Sequence, residues 1–128
     1  MTTAWADHVE SLAREYRIVL DVRATGTRGR SFVQDRRIRI SPVRGDVSYA
    51  VALHELGHLI AVGASGRKYR RLDKELRAWR WARAAALEWT PRMDRAMRES
   101  MRSYLECARR RSWPVPSDYL DLLKYGAL

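Results

Sequence analysis

The sequence lacks the features that would place it in several classes of protein. It has one cysteine, Cys107, so no disulfide can form within the chain, and this cysteine usage fits a reducing compartment. Its apolar runs are interrupted well before the ~20 residues of a membrane span, and its first ten residues contain no apolar segment typical of a secretory signal. We therefore expect a cytoplasmic protein without a membrane partner.

Lysine and histidine are scarce as well. Three of the 25 basic residues are lysine and the other 22 are arginine, and the chain has three histidines. With 15 acidic residues the net charge is +10 and the pI is about 10.6. Such a charge draws a protein towards nucleic acid and other polyanions, with an attraction that weakens as salt rises.

What the chain does contain is typical of one globular domain over residues 1–128, since 46% of the residues are hydrophobic and 31% are charged. Hydrophobic periodicity predicts a helix, three short strands and then four helices, which is an α+β order. Asp46 or Ser48, Asp73, Thr90 and Ser117 are the expected N-caps of the last four helices. The predicted segments are a helix over 4–17, strands over 18–22, 31–34 and 36–41, and helices over 46–62, 73–89, 90–110 and 117–124.

The motif His54-Glu55-Leu56-Gly57-His58 lies on the second predicted helix, over 46–62. Residues four apart lie on the same face of a helix, so His54 and His58 can both reach one Zn²⁺. Glu55 lies about 100° further round, beside such an ion, where it can take a proton from a water molecule. The pattern fixes only three positions and does occur by chance, but two of the three histidines fall within it. The sequence therefore predicts a zinc site here.

A catalytic zinc needs a third protein ligand and an open position for water. The candidates on the helix over 73–89 are Asp73, Glu75 and Glu88. Glu75 shares a face with apolar residues, where a carboxylate is costly unless it is paired or bound to metal, whereas Asp73 lies nearly opposite and suits a cap. We predict Glu75 as the third ligand. The alternative is that Glu75 favours the helix dipole, or pairs with Arg71 or Lys74.

The motif from His54 to His58 and the helical segment that begins at Glu75 together resemble the small single-domain zincins. They resemble in particular the ImmA/IrrE-like metallopeptidases and their phage-encoded relatives. The resemblance covers roughly residues 36–86. It implies a minimal zincin-like domain in which His54, His58 and Glu75 hold zinc and Glu55 is the general base. Many members carry an acid directly before the alanine of the second motif, where this chain has Arg77. The motifs are His54-Glu55-Leu56-Gly57-His58 and Glu75-Leu76-Arg77-Ala78-Trp79-Arg80-Trp81-Ala82.

The activity that the resemblance implies is zinc-dependent hydrolysis of a peptide bond in a protein substrate. We expect such a substrate to lie extended along an exposed strand edge, with residues 36–41 as the candidate edge. A further donor can stabilise the negative charge that develops on the carbonyl oxygen. Tyr49, Tyr69 and Tyr104 are candidates for that donor, and the sequence does not choose among them.

Arginines recur at three-, four- and seven-residue steps along the helix over 90–110. The simpler interpretation is a solvated helix face on which Glu99 and Glu106 pair with some of the arginines. The functional interpretation is a face that binds nucleic acid or another polyanion. It leads to a rival hypothesis for the function, a basic module that binds nucleic acid or protein and in which zinc is structural or absent. A third hypothesis is a metallohydrolase that acts on a substrate other than a peptide. The arginines are Arg92, Arg95, Arg98, Arg102 and Arg109.

Overall fold

The computed structural model describes residues 2–23, 29–63 and 70–125. It has the α+β composition that the sequence predicts, with five α-helices and a three-stranded sheet in these ranges. No helix in them combines the length and apolar character that crossing a bilayer requires. The elements are α1 (Thr2–Glu15), β1 (Val19–Val22), β2 (Arg30–Phe32), β3 (Arg37–Ile40), α2 (Asp46–Gly57), a π-helical turn (His58–Val62), α3 (Arg71–Ala85), α4 (Pro91–Arg111) and α5 (Ser117–Tyr125).

The sheet has the strand order β1-β3-β2, with β1 parallel and β2 antiparallel to β3. Ile38 and Ile40 are buried while Arg37 and Arg39 face outwards, as the alternation in the sequence predicts. The expectation that residues 36–41 form an exposed edge is wrong, because β3 is paired on both sides. The edges are β1 and β2. Periodicity identifies a strand but carries no information on its place in the sheet.

Helix α2 forms the centre of the molecule, packed against the sheet, α1, α3 and α4. Its side chains Ala52, Leu53 and Leu56 are fully buried and belong to one core cluster with residues from every other helix and the sheet. The predicted helix over 46–62 changes at His58 into a π-helical turn that ends at Gly63, where φ is +58°. Periodicity did not indicate this change. Turns of this kind occur frequently at functional sites.

The close approach of α2 and α3 depends on Gly57. A Cβ at this position would lie 2.6 Å from the carbonyl oxygen of Ala78, which is shorter than any ordinary contact. Glycine therefore lets the backbones of the two helices meet at this point. Gly57 therefore brings α3 against the motif helix.

The helix boundaries are partly as predicted. Thr90 caps α4, because its hydroxyl oxygen accepts a hydrogen bond from the Met93 N–H at 3.2 Å. The same hydroxyl donates to Asp46 at 2.7 Å, which ties the start of α4 to the start of α2. Asp73 is not a cap, since α3 begins at Arg71 and Asp73 lies within its first turn. Gly45, rather than Asp46 or Ser48, is the N-cap residue of α2.

Candidate metal centre and its cleft

The fold brings the predicted metal-binding residues together from two helices. His54 and Glu55 lie on α2, His58 begins the π-helical turn, and Glu75 lies on the buried face of α3. Among the described residues, His54, Glu55 and Glu75 are the histidine and acidic side chains that the fold buries, at 8%, 8% and 3% exposure. Burial of ionisable groups is costly unless they are paired or bound to a cation.

Glu75 contacts both histidines directly. One carboxylate oxygen lies 3.1 Å from Nε2 of His54, and the other lies 2.9 Å from Nε2 of His58. Both imidazole rings therefore present the same nitrogen to one carboxylate on a neighbouring helix. The two rings lie edge to face, with centroids 4.6 Å apart.

The pKa values express how strongly these groups are coupled. Burial alone would lower the pKa of His54, but the Glu55 and Glu75 carboxylates outweigh it and raise that pKa to about 9. Burial alone would raise the pKa of Glu75, but the hydrogen bonds and charges of His54 and His58 outweigh it and lower that pKa to about 2. The cluster therefore stabilises a negative Glu75 beside a protonated His54. A divalent cation at this place would compete with a proton.

The donor set and its spacing fit zinc. Imidazole nitrogen and carboxylate oxygen are ordinary zinc ligands, and two atoms bound to one tetrahedral zinc at about 2.0–2.1 Å lie about 3.3 Å apart. The observed N···O separations of 3.1 and 2.9 Å are close to that value.

Glu55 lies beside this donor set. A nitrogen of each histidine and a carboxylate oxygen of Glu55 lie within 4.8 Å of one another, so Glu55 is a geometric alternative to Glu75 as a ligand. Glu55 lies 3.6 Å from Nδ1 of His54, however, whereas Glu75 contacts Nε2 of that ring. Glu75 contacts both histidines and at shorter distances, so of the two carboxylates it is the better placed to share a cation with both rings.

Two residues that hold the site in place were not identified from the sequence. The indole of Trp79 stacks on the His54 ring, with centroids 4.0 Å apart and planes 12° from parallel. Trp79 lies one turn after Glu75 on α3. A Cβ at Gly29 would lie 2.5 Å from Cγ of Glu55, so the backbone before β2 lies directly on the Glu55 side chain.

A cleft of about 550 Å³ opens over His54 and Glu55. Gly29 and Val51 line one part of it, and residues of α4 line another. Tyr104 belongs to the α4 wall. Burial raises the pKa of its phenol, and the nearby Glu75 carboxylate raises that pKa further, so Tyr104 is a hydrogen-bond donor at neutral pH.

The structure separates the other candidates from the site. Tyr49 is fully buried, and its hydroxyl contacts Nδ1 of His8 at 2.6 Å and accepts from the Leu87 N–H at 3.0 Å. His8 is thus partly buried against Tyr49. Tyr69 lies outside the described residues. Asp73 lines a different cavity, with Arg77 and Arg80.

The five arginines that recur along α4, here called the arginine stripe, differ in their contacts. Arg98 pairs with Asp94 at 2.7 Å and also donates to the Leu123 carbonyl oxygen, and Arg92 lies 3.7 Å from Asp46. The exposed remainder of the stripe is Arg95, Arg102 and Arg109.

Comparison of the chain with models of known families, with curated proteins and with solved structures gives no match.

Proposed function

We propose that this protein is a zinc-dependent metallopeptidase with His54, His58 and Glu75 as metal ligands. The observation that carries the proposal is the position of Glu75, which reaches Nε2 of both motif histidines from a separate helix. A chance HELGH motif gives no reason for a buried carboxylate to meet both rings. The zincin-like character of the fold, suggested by the two motifs, is part of the same proposal.

Bound zinc would polarise the scissile carbonyl and make a water molecule easier to deprotonate. Glu55 takes a proton from the attacking water as its oxygen forms a bond to the carbonyl carbon. The C–N bond then breaks, and Glu55 returns the proton to the departing nitrogen. Tyr104 donates a hydrogen bond to the carbonyl oxygen as negative charge develops there. Trp79 keeps the His54 ring in orientation by stacking.

The substrate backbone is proposed to add to the outer edge of β2, which pairs with no strand other than β3 among the described residues. This strand ends the sheet and follows Gly29, whose backbone lies against Glu55. An extended peptide paired with β2 would therefore pass close to the proposed base, with main-chain hydrogen bonds providing binding that does not depend on sequence. The close approach requires glycine, since a side chain at position 29 would occupy the space of Glu55.

The test of this proposal compares Glu55→Gln with wild type and with Glu88→Gln, which alters an exposed acid outside the cleft. Each protein is loaded with zinc and incubated with a mixture of synthetic peptides, and new termini are identified by mass spectrometry. We expect Glu55→Gln to retain zinc and to lose cleavage by about 10²–10⁴-fold, because it removes the proton acceptor. Glu88→Gln should cleave as wild type does. Equal cleavage by Glu55→Gln, or none by wild type, would overturn the proposal.

A further inference from the structure

The charge that lines the cleft is opposite in sign to the charge of the molecule. The chain carries a net charge of +10, yet the described residues that line the cleft include no lysine or arginine. They include two carboxylates, Glu55 and Glu99. In a chain with 25 basic and 15 acidic residues, a lining that holds two glutamates and no lysine or arginine among its described residues is the less expected arrangement.

Glu99 is the carboxylate that the catalytic chemistry does not use. It lies on α4, and its side chain makes no ion pair with any other residue in the described part of the chain, although Arg95 and Arg102 are close in sequence on the same helix. The expectation that Glu99 pairs within the arginine stripe is therefore not met in these ranges. Its carboxylate is free to meet a group that enters the cleft.

The surroundings of Glu99 leave space for such a group. On the same wall, Ala96, Ser100 and Ser103 line the cleft with small side chains. At the proposed catalytic site itself, the two positive charges of bound zinc and the two carboxylates of Glu55 and Glu75 would balance. Glu99 would then be the uncompensated charge of the cleft.

We propose that Glu99 binds a cationic side chain of the substrate, so that the enzyme prefers peptides with lysine or arginine at one position near the scissile bond. This inference rests on the proposed peptidase function. An ammonium or guanidinium placed against a partly exposed carboxylate gives a modest gain, so the expected preference over glutamine at that position is about two- to fivefold. The preference should weaken as salt rises, because the pair is partly open to solvent.

The experiment uses zinc-loaded protein and a synthetic peptide library in which lysine, arginine, glutamine and glutamate occur equally at each position. The new termini give the enrichment of each residue around the cleaved bond. We expect wild type to enrich lysine and arginine at one position and Glu99→Gln to lose that enrichment. Glu99→Lys should favour glutamate instead. The control is Glu106→Gln, an exposed acid two turns further along α4 that does not line the cleft, and it should keep the wild-type preference.

A second arm repeats the library with acetylated N-termini. Enrichment that survives acetylation assigns the bound cation to a side chain, and enrichment that disappears means that the cation is the free N-terminus, which overturns the side-chain assignment. Cleavage by wild type without basic enrichment, or with the same enrichment in Glu99→Gln, overturns the role of Glu99 and leaves the peptidase proposal intact. Cleavage no greater than that of Glu55→Gln overturns both.

Discussion

At the scale of single residues, Tyr104 and Tyr49 show how one residue type can serve two purposes. Tyr104 lines the cleft beside His54 and Glu55, whereas the Tyr49 hydroxyl is engaged inside the fold by His8 and the Leu87 N–H. A tyrosine hydroxyl is therefore a candidate for catalysis at position 104 and stabilises the fold at position 49.

We expect Tyr104→Phe to lower kcat by about 10²-fold with little change in KM, because the donor acts only on charge that develops during the reaction. Tyr49→Phe is the contrasting variant. It should lower the free energy of unfolding by about 1 kcal/mol and leave kcat unchanged, since it removes buried hydrogen bonds away from the cleft. Peptide-cleavage kinetics and urea unfolding measure the two effects. Wild-type kcat in Tyr104→Phe would remove it from the mechanism.

The sequence could predict the pair His54 and His58 because their relation is local: a spacing of four on a helix places both on one face. It could favour Glu75 because a carboxylate on an apolar face needs a partner. It could not select Tyr104 or identify Gly29, because both reach the site through contacts between elements distant in sequence. The stacking of Trp79 on His54 was missed for the same reason.

At the scale of elements, the contact between α2 and α3 sets the geometry of the site. Gly57 lies within the motif itself, and the Ala78 carbonyl lies where its Cβ would be. Since His58 follows Gly57 and Trp79 follows Ala78, a shift at this contact would move the histidines relative to Glu75.

Gly57→Ala should therefore destabilise the fold by about 1–3 kcal/mol, although alanine favours an isolated helix by about 1 kcal/mol. It should also weaken zinc binding. The control is Gly45→Ala, because a Cβ at Gly45 meets no atom within 4 Å; this variant should lose no more than about 1 kcal/mol, from the poorer N-cap, and should keep zinc affinity. Urea denaturation of the two variants gives the comparison. Equal stability of Gly57→Ala and wild type would show that the two helices adjust without cost.

The spacing of hydrophobic residues predicted which segments are helices and which are strands, but it did not predict how these elements are arranged. Residues 37–40 alternate as a half-buried strand does, and that pattern is the same for a central strand and an edge strand. Pairing with both β1 and β2 is a property of the whole sheet. The π-helical turn at His58–Val62 likewise leaves the spacing of apolar residues nearly as it is in an α-helix, so the sequence predicted only a continuous helix.

At the scale of the whole molecule, the proposed ligands join the two helices at the centre of one hydrophobic core. Zinc bound by the folded chain and not by the unfolded chain would stabilise the fold through mass action, by about 2.7 kcal/mol at one hundred times its Kd. The overall positive charge belongs to the surface, since no lysine or arginine is buried in the described part of the chain.

The most direct test is a calorimetric zinc titration of the wild type, Glu75→Gln and Glu88→Gln, each first confirmed to be folded by circular dichroism. We predict one zinc per chain for wild type and for Glu88→Gln, with a higher thermal unfolding midpoint when zinc is bound. Glu75→Gln, which keeps the size of the side chain but loses its charge, should bind at least tenfold more weakly. A folded wild type that binds no zinc, or a Glu75→Gln protein that binds it as tightly as wild type, would contradict the account.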